Sequence, residues 1–261
     1  MKISQRKTAL LEQEKEIVEI YKKGIKPKNI KNYTSFICSY QRILRVFKKY
    51  NLQKEGSGGK NAKFKGNLFF KHTEESDYWL GYLLADGSLS KNKYNISIVS
   101  KDIEHLIKYK NFINSNLIPF YRKNKVGNTI INVYFGSKES YEYLNKLGVT
   151  NNKSKTLKFN YPLNNNILRG IFDGDGSISQ NRPKITTGSL NFKNQIENYY
   201  KSLNINFTTT VKNKTNDTDT FDIIVLKDSR KKLYELMYKN STVFLERKKD
   251  KFRAVVEKSI I

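Results

Sequence analysis

Two aspartates of this chain lie in segments that read almost alike. Leu80–Ser90 has the sequence LGYLLADGSLS and Arg169–Ser179 has RGIFDGDGSIS, and five of their eleven positions are identical. Asp86 and Asp175 occupy the same place in each copy. A repeat with one acid in each copy can bring two carboxylates together on a pseudo-two-fold axis. On a basic protein, such a pair suggests metal-dependent cleavage of a phosphate backbone.

Small residues accompany both acids at the same spacing. Gly81 and Ala85 are four residues apart, as are Gly170 and Gly174. Residues four apart share one face of a helix, and two small residues on that face let another helix approach closely. We therefore expect two helices that pack against each other through these positions, each ending at its aspartate.

A glycine follows each aspartate, and we expect Gly87 and Gly176 to adopt the left-handed cap that often ends a helix. A carboxylate at this place faces the negative end of the helix dipole. Two neighbouring carboxylates also repel each other unless they share a proton or a cation. Mg²⁺ prefers one or two carboxylates together with water and phosphate oxygens. D-G-S is a common turn element, but two copies with matching flanks favour a site.

The composition points to a polyanionic partner. The net charge is +25, of which residues 1–66 carry +12 and residues 67–261 carry +13. Nucleic acid is the simplest partner for such a charge. An AT-rich coding sequence, which the abundance of Asn, Lys and Ile fits, would also inflate the lysine content. Nucleic-acid binding and a bias in composition therefore both stay open on charge alone.

Other classes of site and location are disfavoured. Cys38 is the single cysteine, so an intrachain disulfide and a cysteine-based zinc site are excluded. His72 and His105 are the only histidines, which disfavours a histidine-based zinc site. No apolar leader and no run of membrane-spanning length is found. We expect an intracellular protein, in the cytoplasm of a bacterial, phage-infected or organellar host.

The first 52 residues predict a small all-α domain. Pro27 suits the first turn of a short second helix, and Ser39 suits the N-cap of a third. Such a unit with a basic last helix resembles a helix-turn-helix DNA-binding domain. A plain three-helix bundle with a solvated basic face is the alternative. The candidate DNA contacts on the third helix are Gln41, Arg42 and Arg45.

The rest of the chain predicts a linker and two similar halves. Residues 53–67 are rich in glycine and lysine and indicate a basic linker. In residues 68–152 and again in 153–261, the patterns predict a helix, a hairpin, a helix, a hairpin and a helix. Each half is therefore expected to be α+β, with an antiparallel sheet covered by helices. A basic helix is predicted at the C-terminal end.

The repeated segments resemble a known family. Trp79–Gly87 (WLGYLLADG) and Leu168–Gly176 (LRGIFDGDG) are similar to the nine-residue motif of LAGLIDADG homing endonucleases, and two motifs in one chain resemble the single-chain branch. The resemblance implies two pseudo-symmetric αββαββα halves whose sheets form a DNA-binding saddle. It also implies cleavage of both strands of a long asymmetric double-stranded DNA target with Mg²⁺, for which Mn²⁺ would substitute.

The resemblance assigns roles by position. It implies that Asp86 and Asp175 are the catalytic, metal-binding acids and that the carbonyls of Ala85 and Gly174 belong to the same metal site.

The family often has a basic residue after the strand pair that follows each motif. In the first half Lys101 fits this catalytic place, whereas Gly188 stands there in the second. Lys184 or Lys249 could substitute. Whether both DNA strands are cut equally therefore stays open.

Basic side chains elsewhere in the two halves are candidate DNA contacts. Each one alone could equally be a solvated surface charge. They are Lys91, Lys93, Arg122, Lys123, Lys184, Lys212 and Lys214.

Three functions are compatible with these features. The first is a site-specific homing endonuclease that acts as a monomer, without an obligatory protein partner. The second is a DNA-binding transcriptional regulator that kept the fold and lost catalysis, against which the retention of both aspartates argues. The third is an intron RNA maturase, because basic surfaces rich in tyrosine also serve RNA.

Overall fold

A computed structural model places helices and antiparallel sheets along most of the chain. It describes residues 2–23, 25, 27–50, 52, 68–92, 94–113, 120–124, 126–150, 153, 155–212 and 219–258. The predicted linker at 53–67 and the candidate DNA contacts Lys93 and Lys214 lie outside these residues. Two compact units are found, one made of Met1–Phe64 with Ser97–Phe135 and the other of Lys65–Ile96 with Gly136–Ile261. None of the helices described is long and apolar enough to cross a membrane.

The N-terminal region contains two α-helices and a short 3-10 helix. They are α1 (Lys2–Lys22), the 3-10 helix Pro27–Asn32 and α2 (Tyr40–Lys49). Ser39 caps α2, because its hydroxyl accepts a hydrogen bond from the Arg42 amide at 3.2 Å. Tyr21 of α1 and Phe47 of α2 are buried with ring centroids 4.7 Å apart. The predicted second helix is therefore a six-residue 3-10 turn, and the helix-turn-helix interpretation stays a prediction.

The two repeats have the same order of elements. The first has α3 (Glu74–Asp86), β1 (Gly87–Ser90), β2 (Asn95–Ser100), α4 (Ile103–Phe112), β3 (Phe120–Lys123), β4 (Thr129–Gly136) and α5 (Lys138–Lys146). The second has α6 (Asn165–Asp175), β5 (Ser177–Ser179), β6 (Arg182–Thr187), α7 (Leu190–Ser202), β7 (Phe207–Lys212), β8 (Thr220–Val225), α8 (Arg230–Tyr238) and α9 (Glu246–Glu257). The strand orders are β1-β2-β4-β3 and β5-β6-β8-β7. The α+β prediction with two similar halves is confirmed.

Capping residues set where the two motif helices begin. Thr73 and Ser76 form a reciprocal capping box at the start of α3. At the start of α6, the Asn164 side chain accepts from the amides of Asn166 at 3.0 Å and Ile167 at 2.9 Å. Each cap satisfies amides that have no partner inside the helix, and it fixes the register at which each helix reaches its aspartate.

The glycines that end these helices are not left-handed, so this prediction was wrong. Gly87 has φ −77° and ψ 151°, and Gly176 has φ −62° and ψ 150°, both extended. The chain passes directly from each helix into a strand, which requires this conformation. Glycine is needed for space instead, because a Cβ would overlap the Leu83 carbonyl at Gly87 and the Phe172 carbonyl at Gly176.

Helices α3 and α6 touch backbone to backbone. A Cβ on Gly81 would overlap the carbonyl oxygen of Ile167, and one on Gly170 would overlap the carbonyl oxygen of Tyr78. A Cβ on Gly174 would overlap that of Ala85. The four small residues of the repeated motif thus lie together at one helix–helix contact.

We predict that Gly170→Ala lowers the free energy of unfolding by about 2–3 kcal/mol, because the rigid Tyr78 carbonyl has no room for the added methyl. Gly127→Ala is the matched control. Gly127 has open space around its Cβ position and only the strain of φ +84°, about 1 kcal/mol. Urea unfolding of both variants measures the difference. Equal losses in the two variants would show that the helices accommodate the methyl at no more than the cost of that backbone strain.

Candidate active site

The two motif aspartates are the last residues of their helices. Asp86 ends α3 and Asp175 ends α6. The Asp86 carboxyl carbon lies 3.7 Å from the Cβ position built on Gly174, one residue before Asp175. Both aspartates are exposed to solvent at the point where the helices meet. The close contact of α3 and α6 therefore brings the two carboxylates to one place.

The pair carries unfavourable negative charge. Burial by the surrounding protein and, next to it in size, the negative charge of Asp86 together raise the pKa of Asp175 to about 6. Lys153 and Lys248 lower it, but they do not cancel these effects. A divalent cation would remove both the repulsion and the cost of dehydration. The electrostatics of the site therefore suit a bound cation.

Two lysines that the sequence reasoning missed contact the ends of the motif helices. Lys153 donates a hydrogen bond to the carbonyl of Gly87, which follows α3. Lys248 of α9 donates to the carbonyls of Phe172 at 3.2 Å, Gly174 at 3.4 Å and Gly176. A cation is favoured at the negative end of a helix dipole. Each motif helix therefore ends beside one ammonium group.

Burial lowers the pKa of both lysines, although they remain near acids that raise it. For Lys153 burial is opposed by Asp175 and Asp86. For Lys248 burial and the nearby Arg247 are opposed by Asp173, Asp86 and Asp175. No local pattern in the sequence marks them, because one lysine lies 67 residues after Asp86 and the other 73 residues after Asp175, among many other lysines.

A pocket of about 310 Å³ opens beside Asp175. Its polar lining comes from Asp175, Lys153 and the end of strand β6 at Thr186, Thr187 and Gly188. Gly188, where the resemblance expected a basic residue, is thus placed next to the candidate catalytic acid. Its missing side chain leaves space in the pocket.

The other predicted basic residues of the site have different surroundings. Lys101 is exposed directly after β2 and belongs to the first compact unit, so its catalytic role stays a prediction. Lys184 donates to Asp222 at 2.6 Å, and the ammonium of Lys249 lies 3.7 Å from the centre of the Phe244 ring. These contacts give neither Lys184 nor Lys249 the place that the sequence reasoning suggested for them.

A charged cluster occupies one face of the second sheet. Ile185 of β6 pairs with Ile223 of β8, and both are buried on the face covered by α7. The opposite face carries Asp222, whose carboxylate accepts hydrogen bonds at 2.6 Å from Lys184 and Thr186 and forms an ion pair at 2.6 Å with Lys212. Burial alone would raise the pKa of Asp222, but these donors outweigh it and hold the pKa at about 2. Two predicted DNA contacts are therefore fixed by one acid.

The remaining candidate DNA contacts are scattered over both units. Arg42 donates to Gln13 at 2.6 Å and lies 5.0 Å from the centre of the Phe36 ring, so it already has internal partners. Arg122 lies in β3 opposite Ile130. The exposed candidates are Gln41, Arg45, Lys91, Lys123 and Lys212. Their contacts with DNA stay predictions.

The residues present fit an oxygen-liganded cation. Within the described residues, no three His, Cys, Asp or Glu side chains cluster as a metal centre. A cation at this place would take oxygens from Asp86 and Asp175 and complete its shell with water or substrate. The Ala85 and Gly174 carbonyls, predicted as further ligands, lie at the same helix ends, although Lys248 already donates to Gly174.

A comparison with protein families finds one match, in the second half of the chain. Residues 162–238, from the segment before α6 to the end of α8, match the family described as LAGLIDADG-like domain. This range contains the second motif with Asp175, so the match confirms the resemblance that this motif carries. No curated protein sequence matches the chain.

Solved structures similar to this chain include two homing endonucleases. I-DmoI in complex with DNA and Mn is 16% identical, with 63% of this chain and 97% of that chain covered and a TM-score of 0.43. I-LtrWI bound to target DNA is 13% identical, with 71% and 91% covered and a TM-score of 0.46. Full-length DUF199/WhiA from Thermotoga maritima is 17% identical, with 76% and 66% covered and a TM-score of 0.46.

The raised pKa of Asp175 predicts a pH dependence of stability in metal-free protein. The folded state holds this proton more tightly than the unfolded chain does. The free energy of unfolding should therefore fall as pH rises from about 4 to about 6 and stay lower above that range. Asp175→Asn should flatten the slope only in part, because burial also raises the pKa of Asp173 to about 6.

Mg²⁺ should oppose this loss, since it competes with the proton for Asp175. We expect Mg²⁺ to raise the melting temperature of the wild type more at pH 7 than at pH 5, and to have little effect on Asp175→Asn. Thermal unfolding with EDTA or Mg²⁺ measures both. The same Mg²⁺ effect in the two proteins would place the cation elsewhere.

Proposed function

We propose that this protein is a site-specific DNA endonuclease that hydrolyses both strands of a long, asymmetric target with a divalent cation, most simply Mg²⁺. The observation that carries the proposal is the meeting of Asp86 and Asp175 at the ends of two tightly packed helices. One lysine at each helix end adds positive charge beside them. The LAGLIDADG-like domain at 162–238 supports the same conclusion.

The aspartates, the lysines and the pocket of the site would have different roles in cleavage. Asp86 and Asp175 would hold the cation, which supplies a Lewis acid for the scissile phosphate and lowers the pKa of water. Lys153 and Lys248 keep their ammonium groups beside the helix ends, where their positive charge would stabilise the negative charge of a phosphate at the site. The pocket next to Asp175 gives water access from the side of Gly188.

The wider protein supplies the means to hold DNA. A net charge of +25 favours binding to a polyanion. The open face of the second sheet presents Lys184 and Lys212 in fixed positions. We propose that residues 1–52 contact DNA beyond the cleavage site through Gln41 and Arg45, as the helix-turn-helix interpretation expects.

The two halves differ where a symmetric target would require them to match. Asp173 of the second motif stands where the first has Leu84, and both are buried. An asymmetric protein is suited to a target whose two half-sites differ. We therefore expect a single chain to recognise a non-palindromic sequence as a monomer.

We predict Mg²⁺-dependent linearisation of a plasmid that carries the region flanking the gene without its insert. Asp86→Asn and Asp175→Asn should each slow cleavage by more than about 100-fold, the loss typical when even an outer partner of a metal ligand is removed. Asp219→Asn is the matched control, since it removes the same charge from an exposed residue.

Gel shifts with the same DNA separate binding from cleavage. Binding that persists in all variants, with no cleavage by the wild type under any divalent cation, would favour the regulator. Tighter binding to a structured intron RNA than to duplex DNA would favour the maturase.

The two lysines should act on different strands. Lys153 donates to the carbonyl that follows α3, and Lys248 donates to carbonyls at the end of α6, so each ammonium is held by one copy of the motif. We predict that Lys153→Met and Lys248→Met each slow cutting of one strand by about 100-fold, the scale of losing one group that stabilises charge in the transition state. Duplexes labelled on one strand or the other measure the two cutting rates separately. We expect the two variants to accumulate duplexes nicked in opposite strands. Equal slowing of both strands by each variant would contradict it.

A further inference from the structure

Asp173 is a buried carboxylate that the proposed mechanism does not use. It is fully buried within the second motif and accepts three hydrogen bonds. The donors are the Tyr238 hydroxyl at 2.6 Å, the Leu245 amide at 2.7 Å and the Tyr78 hydroxyl at 2.9 Å. A buried carboxylate is retained at a cost in stability unless its hydrogen bonds are complete. Its partners therefore indicate what it does.

The Leu245 amide is the partner of Asp173 that lies closest to Lys248 in sequence. Leu245 is the N-cap residue of α9, and its side chain has no polar atom to cap the helix. Its carbonyl accepts from the amides of Lys248 at 3.0 Å and Lys249 at 3.1 Å, which forms the first turn. Asp173 thus anchors the residue from which α9 starts, three positions before Lys248.

The side chain of Lys248 returns to the end of motif helix α6. Its ammonium reaches the carbonyls of Phe172, Gly174 and Gly176, which flank Asp173 and Asp175 in the chain. The backbone of Leu245 and the side chain of Lys248 are therefore both fastened to the last turn of α6. A shift of α9 along its axis would withdraw the ammonium from the helix end.

A second set of contacts holds the same connection between α8 and α9. The buried guanidinium of Arg169 donates to the carbonyls of Met237 at 2.8 Å and Val243 at 2.9 Å. It also pairs at 2.8 Å with Glu74, which accepts from the Thr242 amide at 2.8 Å. Both motif helices thus contribute to the placement of the connection.

We propose that Asp173 is a positioning residue that sets Lys248 at the end of α6 by anchoring the start of α9, and thereby controls cleavage of one DNA strand. The inference rests on the proposed function. It is specific to the second half, because Leu84 stands at the equivalent place in the first motif and offers no acceptor. Asp173 does not touch substrate in this role and acts only through Lys248.

The test compares strand-specific cleavage by Asp173→Asn with that by the two lysine variants. An asparagine keeps the size of the side chain, but its one acceptor oxygen cannot serve three donors. We expect Asp173→Asn to accumulate the same nicked strand as Lys248→Met, and the double variant to be no slower than Lys248→Met alone. Equal slowing of both strands, or effects that multiply in the double variant, would overturn the proposal.

Two further variants separate positioning from a loss of stability. Ile196→Ala removes buried side-chain atoms in α7 and takes part in none of these hydrogen bonds, so it should lower stability without a strand bias. Glu74→Gln weakens the second set of contacts without placing a change at Asp173, and it should show the same strand bias to a smaller degree. A strand bias in Ile196→Ala equal to that in Asp173→Asn would reduce Asp173 to a structural role.

A measurement without DNA keeps this inference distinct from the proposed function. Lys248 is buried with three carbonyl partners, so its acetylation by a water-soluble ester should be slow. Mass spectrometry should show several-fold faster acetylation of Lys248 in Asp173→Asn, with Lys153 unchanged. If the wild type cuts no DNA but Lys248 is acetylated faster in Asp173→Asn, the endonuclease proposal fails, whereas the positioning of Lys248 by Asp173 is supported. An unchanged rate at Lys248 would refute the positioning whatever the wild type cuts.

Discussion

The contact between the backbones of α3 and α6 is the constraint on which the candidate site depends. Side chains larger than hydrogen at Gly81 or Gly170 would overlap a carbonyl of the facing helix. Such close approach puts the two helix ends, and therefore Asp86 and Asp175, at one place. The negative ends of two helix dipoles coincide there with two acids, an arrangement that a bound proton or a cation stabilises. The close packing of the two helices thus creates the negative charge that the site has to balance.

Lys153 and Lys248, which lie outside the motifs, supply positive charge at these negative helix ends. Lys153 follows α5 and Lys248 lies in α9, and both bind carbonyls at the helix ends rather than the carboxylates themselves. An ammonium bound in this way neutralises the helix dipole while the carboxylates stay available to a metal. The halves reach this result differently, because Lys248 lies on a helix whose start is anchored by Asp173, whereas Lys153 lies in a turn. The second half therefore has the more rigid support.

Much of the fold followed from local patterns in the sequence, and the rest required tertiary contacts. Alternation and caps predicted the helix–hairpin order, and the spacing of small residues predicted the close pair of helices. The extended glycines at 87 and 176 were missed because the chain enters a strand at once, which a helix pattern does not show. Lys153 and Lys248 were missed because they lie far from the motifs in sequence and no local pattern marks them.

The cluster around Asp222 shows how a basic surface can be ordered before DNA arrives. Lys184 and Lys212 each place an ammonium 2.6 Å from the same carboxylate, on the face of the sheet opposite α7. Free lysines would lose side-chain entropy on binding a phosphate or a base, whereas these two have already lost part of it on folding. Each ammonium has three donors and uses one for Asp222, so two remain for DNA. In the proposed complex, Asp222 therefore weakens the net attraction of this face to DNA. It also fixes the positions of the two ammonium groups, which favours selectivity over affinity.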